Sequence, residues 1–143
     1  MPRLLAIDYG TKRCGIAVTD TLQLVANALT TVHTKDLEQF LATYLLTEEV
    51  AKIVIGMPRQ LDGNPSQNAQ HVVGFIRKIA AKYPQIPIIQ IDERFTSSIA
   101  QQTLIAGGAS KKQRADKSLV DSVAAVIILQ SYMEQQAFQK ARQ

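Results

Sequence analysis

The stretch RLLAIDYGTKRCGIAVTD, residues 3–20, carries the clearest structural pattern in the chain. An apolar run ends at Asp8, a turn of residues 10–13 follows, and small and apolar groups alternate over residues 14–20. This pattern predicts two strands joined by a hairpin, and residues 25–32 supply a third strand. Because no crossover helix fits between three such consecutive strands, we expect them to be antiparallel neighbours.

The spacing of apolar residues changes after this region. Helical spacing begins at Leu37 and alternates with short buried runs that are typical of strands. The predicted helices cover 37–45, a segment ending near 83, 99–105 and 119–138, and the predicted strands cover 52–56 and 88–92. Right-handed crossovers place these later strands parallel to the first. The sequence therefore predicts an α/β fold with a five-stranded mixed sheet, three antiparallel strands and then two parallel ones, and helices on both faces.

Composition excludes several classes of protein. The 143 residues are 46% hydrophobic and 20% charged, which is typical of a folded soluble protein and not of a disordered one. The length predicts a single domain over residues 1–143. No apolar run reaches the ~18 residues of a membrane span, no signal peptide follows Met1, and the single Cys14 forms no internal disulfide. We therefore expect a cytoplasmic protein with no membrane partner.

The net charge of +4 is too small to identify a polyanionic partner, but the basic residues are clustered. The largest cluster follows Gly107 and Gly108 and lacks apolar periodicity, which predicts a mobile basic loop over residues 107–117. Its cations are Lys111, Lys112, Arg114 and Lys117. Such a loop is either a solvated surface segment or a contact for phosphates.

Carboxylates occur at the ends of predicted strands, where α/β sheets carry their sites. Asp8 closes the first strand, and Asp92 and Glu93 close the last one. Because strand side chains alternate, only one of Asp92 and Glu93 shares a face with Asp8. Asp121 lies on the apolar stripe of the last helix. Held together, these acids predict a site for Mg²⁺ or Mn²⁺, although each acid alone is equally typical of a helix cap or an ion pair.

Other catalytic signatures are missing from the sequence. It contains no G-x-x-x-x-G-K-[ST] phosphate loop and no G-x-G-x-x-G. His33 and His71 have no second metal ligand at a useful spacing. Cys14, on a predicted strand, is expected to be a small core residue, and Asp20 a turn residue.

Four motifs in the chain resemble those of one known family. They are DYGTKRCGIAVTD at 8–20, Gly56-Met57-Pro58 with Asp62-Gly63, DERFT at 92–96 and DSVAA at 121–125. In this order they cover nearly the whole chain and closely resemble the YqgF family, RuvC-like resolvases that are also described as nucleases of pre-16S ribosomal RNA. Two positions depart from the family's usual residues: Cys14, and Ser122-Val123 in place of Lys-Leu beside the last acid.

The resemblance implies a ribonuclease-H-like fold and a metal-dependent nuclease. The family's catalytic and metal-binding acids fall on Asp8, Glu93 and Asp121, which favours Glu93 over Asp92, and Mg²⁺ or Mn²⁺ is the implied cofactor. Gly10 would let the backbone approach a phosphate, and nearby cations would bind the flanking phosphates. The residues with an implied role in substrate binding are Gly10, Thr11, Lys12, Arg13, Arg94, Lys111, Lys112, Arg114 and Lys117.

The leading functional hypothesis is a nuclease that processes the 5′ end of pre-16S rRNA during small-subunit maturation, with structured RNA and pre-ribosomal particles as partners. One alternative is a Holliday junction resolvase acting on branched DNA, which needs two active sites and hence a homodimer. Monomer and homodimer both stay open. Another alternative is a non-catalytic protein that binds nucleic acid or nucleotide, because Asp8-x-Gly10-Thr11 also resembles the phosphate-binding hairpin of the actin and sugar-kinase superfamily.

Overall fold

The computed structural model describes residues 2–57, 69–92 and 117–141, and within these ranges residues 92, 117–122, 138, 140 and 141 are described by their backbone alone. The strands are β1 (Arg3–Tyr9), β2 (Arg13–Thr19), β3 (Ala26–His33), β4 (Val50–Met57) and β5 (Ile88–Asp92). The helices are α1 (Leu37–Thr47), preceded by a 3-10 turn (Thr34–Asp36), α2 (Ala69–Lys82) and α3 (Lys117–Ala141). The helix predicted over 99–105 lies outside the described residues.

The five strands form one mixed sheet in the order β3-β2-β1-β4-β5. The first three strands are antiparallel neighbours, with Ile7 opposite Ile16. Strand β4 runs parallel to β1, and β5 runs parallel to β4. The predicted sheet is therefore confirmed, and the carboxyl ends of β1, β4 and β5 lie together at one edge.

Some element boundaries differ from the sequence expectation. Strand β4 begins two residues earlier than predicted, and α3 runs over Lys117–Ala141 instead of 119–138. Apolar periodicity marks only the buried turns of a helix, whereas backbone hydrogen bonding continues into its polar ends. Lys117 is therefore the first residue of a helix and not the end of a loop, while residues 107–116 lie outside the described residues.

Alternation along the strands divides the core between the two faces of the sheet. One face is covered by α1 and α2, and this α1/α2 core contains the buried Leu5, Ile7, Cys14, Ile16, Val18, Leu37, Leu41, Val50, Ile53, Ile55, Met57, Val72, Phe75 and Ile79. The other face is covered by α3, and this α3 core contains Leu4, Ala6, Ala17, Val54, Ile91, Ala125, Ile128, Leu129 and Tyr132. Helices on both faces and a core position for Cys14 were both predicted. None of the described helices has the length and apolar character needed to cross a membrane.

Candidate active site

Asp8 lies at the carboxyl end of β1, on the face of the sheet that α3 covers. It follows Leu4 and Ala6 at the strand period of two, and both of those residues belong to the α3 core. The side chain of Asp8 is half-buried, and its register partner on β2 is Gly15. Because glycine has no side chain, the residue directly opposite Asp8 on β2 contributes only backbone to this part of the site.

Helix α3 meets this face through small side chains. Ala124 and Ala125 are fully buried on the helix. Ala6 and Ala17, which are register partners in the sheet, are fully buried beneath it. The distance between packed elements depends on the side chains at their contact, so these alanines let α3 approach the sheet closely.

One contact locates the C-terminal half of α3. Lys52 Nζ donates a hydrogen bond to Tyr132 Oη at 2.9 Å, and Tyr132 shares the α3 core with Leu4 at the amino end of β1. Asp121 precedes Tyr132 by eleven residues, which is ~16 Å of helix. Asp8 follows Leu4 by ~13 Å of strand. A helix that runs back along β1 from this contact would bring the backbone of Asp121 to the end of the sheet that carries Asp8.

The third predicted acid, Glu93, lies outside the described residues and follows the last residue of β5. The register places Met57 opposite Asp92, so β4 and β5 end together at this edge. Ile89 and Ile91 both pack with the α3 core. Along the chain, Glu93 is two and four residues from these isoleucines, whereas Asp92 is one and three residues from them. In an extended strand, an even spacing places two side chains on the same face and an odd spacing places them on opposite faces. Within the described ranges, no group of three or more His, Cys, Asp or Glu side chains is arranged to hold a metal ion.

The turn that joins β1 to β2 lies beside Asp8 and has a tertiary anchor. A Cβ atom on Gly10 would collide with the backbone carbonyl of Arg13, so the turn requires glycine at this position. Thr34 Oγ1 donates to the carbonyl of Gly10 at 2.6 Å, and Thr34 N donates to the carbonyl of Lys12 at 3.0 Å. Thr11 and Lys12 are exposed at the tip of the turn.

Sequence reasoning missed Thr34, because nothing in the residues around it marks a contact with a turn more than twenty positions earlier. The structure brings Gly10, Thr11, Lys12 and Arg13 to the edge that carries Asp8. Lys117 lies at the start of α3 and is described by its backbone alone. The other predicted phosphate-binding residues lie outside the described part of the chain: Arg94, Lys111, Lys112 and Arg114.

Tyr9 follows Asp8 and lies on the opposite face of β1. Its ring packs against Phe75 of α2, with 5.1 Å between the ring centroids. Burial is the main cause that raises the pKa of the Tyr9 hydroxyl, and the charges of Cys14 and Glu38 raise it further. The phenol therefore stays protonated at neutral pH and keeps an O–H donor at this edge of the sheet.

The mixed sheet, its helices on both faces and the acid at the carboxyl edge define the ribonuclease-H-like fold of RuvC-like resolvases. The fowlpox virus resolvase, solved with Holliday junction DNA, matches with a TM-score of 0.56 at 13% identity over 94% of this chain and 98% of its own. RuvC of T. thermophilus, solved with a Holliday junction substrate, matches with a TM-score of 0.54 at 14% identity over 93% of this chain and 96% of its own. At such low identity these likenesses establish the fold.

Sequence similarity then identifies the family. The family model described as "RuvX: Holliday junction resolvase" matches residues 2–135, so the chain belongs to the RuvX family, and the resemblance to YqgF proteins is confirmed. A relative from Bacteroides thetaiotaomicron is 47% identical over 138 residues, which cover 96% of this chain and 100% of the relative. One from Phocaeicola vulgatus is 48% identical over 138 residues, 96% of this chain and 99% of the relative. Both relatives are named "Putative pre-16S rRNA nuclease".

Proposed function

We propose that this protein is a metal-dependent nuclease that matures the 5′ end of pre-16S rRNA in the cytoplasm, within pre-ribosomal particles. One observation carries the proposal: Asp8 lies half-buried at the carboxyl end of a buried strand, on the face of the sheet that α3 covers. Relatives nearly half identical over almost the whole chain, named for this RNA, support the substrate. The whole chain, residues 1–143, would serve as one catalytic domain.

The proposed catalytic residues are Asp8, Glu93 and Asp121, and the same three would hold Mg²⁺ or Mn²⁺. The donor chemistry fits, because carboxylate oxygens are the ligands that these hard cations prefer, and Asp8 is half-buried beside Gly15 rather than fully solvated. Two bound ions supply activation of a water molecule and charge stabilisation at the leaving oxygen. The fold's contribution is to keep the Asp8 carboxylate fixed at the end of a buried strand.

Substrate phosphates would be bound around this acidic centre by the turn and by basic residues. Thr11, Lys12 and Arg13 lie at the required edge, and Thr34 holds the turn through its two hydrogen bonds. The other residues proposed to bind phosphate are Gly10, Arg94, Lys111, Lys112, Arg114 and Lys117. These contacts carry no base information, so they contribute affinity and orientation rather than sequence preference.

The replacement Asp8→Asn tests the proposed function. It removes a charged oxygen ligand with almost no change in shape, and we expect RNA cleavage in Mg²⁺ or Mn²⁺ to fall by at least a hundredfold while binding without metal is kept. Asp20→Asn is the matched control, because Asp20 lies at the opposite end of the sheet and asparagine keeps an acceptor oxygen. Rates are measured on a 5′-extended small-subunit precursor. Unchanged cleavage by Asp8→Asn would contradict the assignment, and binding without cleavage in every divalent metal would favour a non-catalytic RNA-binding protein.

Holliday junction resolution is the second candidate function, and the description of the matching family model favours it. Cutting a junction symmetrically needs two active sites and therefore a homodimer. Four-way DNA junctions and the RNA precursor are to be offered to the same preparation, with the molar mass measured by light scattering. Junction cleavage by a dimer, with the RNA precursor left intact, would replace the proposed substrate with branched DNA.

A further inference from the structure

A cavity of about 570 Å³ lies at the carboxyl end of β1, on the face of the sheet opposite α3. Tyr9 and Thr11 form the wall nearest the β1–β2 turn, and the 3-10 turn and α1 form a second wall. Helix α2 closes the third side through residues spaced three or four apart, among them His71, Gly74 and Lys78. We name this space the α2 cavity.

The α2 cavity has one accessible aromatic ring in its wall. The ring of Tyr9 packs on that of Phe75 with 5.1 Å between the centroids, and Phe75 itself is buried, with 6% of its surface exposed. Tyr9 is half-buried, so part of its ring remains accessible from the cavity. Aromatic faces of this kind stack on nucleobases without preference for sequence.

The charges of the α2 cavity favour an anionic ligand. Lys35 and Lys78 both line it, and among the described lining residues Glu38 is the one acid. Lys78 Nζ lies 3.7 Å from a carboxylate oxygen of Glu38, but both side chains are largely solvated, so this pair is weak. Lys35 makes no ion pair with any described residue. One cation is therefore available to a phosphate.

Two other cavities lined by described residues lack this combination. One, of about 700 Å³, lies at the amino ends of the strands and is lined by Glu48 and Glu49 without a described lysine or arginine. The other, of about 480 Å³, has Lys52 in its wall, but that ammonium group is hydrogen-bonded to Tyr132. Of these three cavities, the α2 cavity best accommodates a polyanion.

The position of the α2 cavity relates it to the candidate active site. Tyr9 and Asp8 are adjacent in β1 and lie on opposite faces of the sheet, so only the carboxyl edge of the strand separates the two sites. Thr11, at the tip of the turn, lines the cavity and belongs to the proposed phosphate contacts. A nucleic-acid strand that crosses this edge would reach both sites with successive nucleotides.

We propose that the α2 cavity binds one unpaired nucleotide of the RNA substrate, with the base against the ring of Tyr9 and its phosphate on Lys35. This inference rests on the proposed nuclease function and deepens it by naming the substrate class: RNA with at least one unpaired nucleotide beside the phosphate that is cut. A base inside a duplex cannot use the cavity, because it is already stacked and paired. A free nucleotide offers the same chemistry.

Gly74→Leu provides a test that does not depend on the catalytic residues. A Cβ on Gly74 meets no heavy atom within 4 Å, so a side chain can start at this position without a collision, and a leucine here would occupy part of the cavity that Gly74 lines. Leucine also raises helix propensity, and the variant is expected to fold. Gly74→Ala is the matched control, since it changes the helix equally but leaves the cavity open. Lys35→Gln is paired with Lys82→Gln, which removes a lysine at the far end of α2.

Binding is measured by fluorescence anisotropy in EDTA, with labelled oligouridylate and with a fully paired RNA duplex as probes. We expect Gly74→Leu to weaken oligouridylate binding about tenfold and Lys35→Gln to weaken it severalfold, with duplex binding unchanged in both. The two controls should match wild type on both probes. Equal binding of oligouridylate by wild type and Gly74→Leu overturns the proposal, as does an equal loss on both probes.

Two further arms separate the possible sources of the nucleotide and the two proposals. In the first, uridine monophosphate is added to the protein and the NMR chemical shifts of the Tyr9 and Gly74 amides are followed. If the shifts change while Gly74→Leu still binds oligouridylate normally, the cavity binds a free nucleotide and not the RNA substrate. Cleavage of the 5′-extended precursor by wild type and Asp8→Asn tests the nuclease function by itself. If wild type cleaves nothing, the proposed function fails, whereas the anisotropy result still decides whether the α2 cavity binds an unpaired nucleotide.

Discussion

At the residue scale, Gly10 and Gly74 differ in the space that a side chain would have at each position. Gly10 lies where any Cβ would collide with the carbonyl of Arg13, whereas a Cβ on Gly74 meets no heavy atom within 4 Å. The first is required by the backbone path of the β1–β2 turn. The second lowers helix propensity in α2 without a steric need for glycine.

We therefore predict that Gly10→Ala and Gly74→Ala change stability in opposite directions. Gly10→Ala forces the turn backbone to shift and should lower the free energy of unfolding by about 1–3 kcal/mol. Gly74→Ala should raise it by about 0.5–1 kcal/mol, because alanine loses less backbone entropy in a helix. Urea denaturation of the two variants checks this, and a Gly10→Ala protein as stable as wild type would contradict the role given to Gly10.

Among the side chains that the structure describes, Thr19 is the one polar side chain that is fully buried. Its Oγ1 accepts a hydrogen bond from the backbone N–H of Leu4 at 2.9 Å. Thr19→Val keeps the shape but leaves that N–H without its acceptor, so we predict a loss of about 1–3 kcal/mol in the free energy of unfolding. Thr19→Ser keeps the hydroxyl and serves as the control. A valine variant as stable as wild type in chemical denaturation would show that the bond contributes nothing.

At the element scale, a single carboxylate organises the connection between β2 and β3. Asp20 Oδ1 accepts from the backbone N–H groups of Leu24 and Val25, each at 2.8 Å, and Oδ2 accepts from Leu22 N at 3.1 Å. These bonds explain why the chain can turn here through Gln23, which has a φ of 58°. Asp20 is therefore the turn residue that the sequence predicted.

The order of this connection should depend on pH. The bond from Val25 is the main cause that holds the pKa of Asp20 below its ordinary value of 3.8, with smaller contributions from Leu24 and Leu22. Because the folded pKa is the lower one, the stabilising bonds are present above the unfolded pKa and are lost as the pH falls through the folded pKa. Amide exchange at Leu24 and Val25 should therefore lose protection, after correction for intrinsic rates, in acid below pH 3.8. Asp20→Asn does not titrate, and the same acid-dependent loss in that variant would rule out Asp20 as its cause.

At the scale of the whole molecule, the distribution of charge matters more than the net value of +4. Lys12, Arg13 and Lys35 lie in and beside the turns at the carboxyl edge of the sheet, close to Asp8. At the amino edge, Arg3 and Glu48 pair with each other at 3.1 Å, so their charges largely cancel. We therefore expect the three cations near Asp8 to attract phosphates to that edge.

RNA binding should accordingly weaken as the salt concentration rises, and the steepness of that dependence should report the number of phosphate contacts. For single-stranded RNA, the logarithm of the association constant should fall linearly with the logarithm of salt concentration, by about 0.7 per phosphate contact. Lys12→Gln should make that slope shallower by about 0.7, while Lys82→Gln, at the distant end of α2, should leave it unchanged. Anisotropy titrations at several salt concentrations measure both slopes. Equal slopes for wild type and Lys12→Gln would remove Lys12 from the phosphate contacts.

Much of the fold could be read from local patterns, because those patterns depend on near neighbours in the chain. Alternation along 3–20 predicted the first hairpin, and apolar spacing predicted the remaining described strands and helices, since burial of one face repeats with the period of each element. Asp8 and Asp121 stood out for the same reason, as acids where an apolar residue was expected. Element ends were less predictable, as α3 shows, because polar terminal turns lack such a repeat.

What the amino-acid sequence determined by itself is the order of elements, the antiparallel and parallel strand pairs, the family and the candidate acids. Only the tertiary structure decided which residues from distant parts of the chain meet. The bond from Lys52 to Tyr132 joins β4 to α3, the bond from Thr34 to Gly10 anchors the turn, and α1, α2 and β1 together enclose the α2 cavity. Periodicity specifies which face of an element is buried, whereas partners across a core depend on how all the faces pack at once.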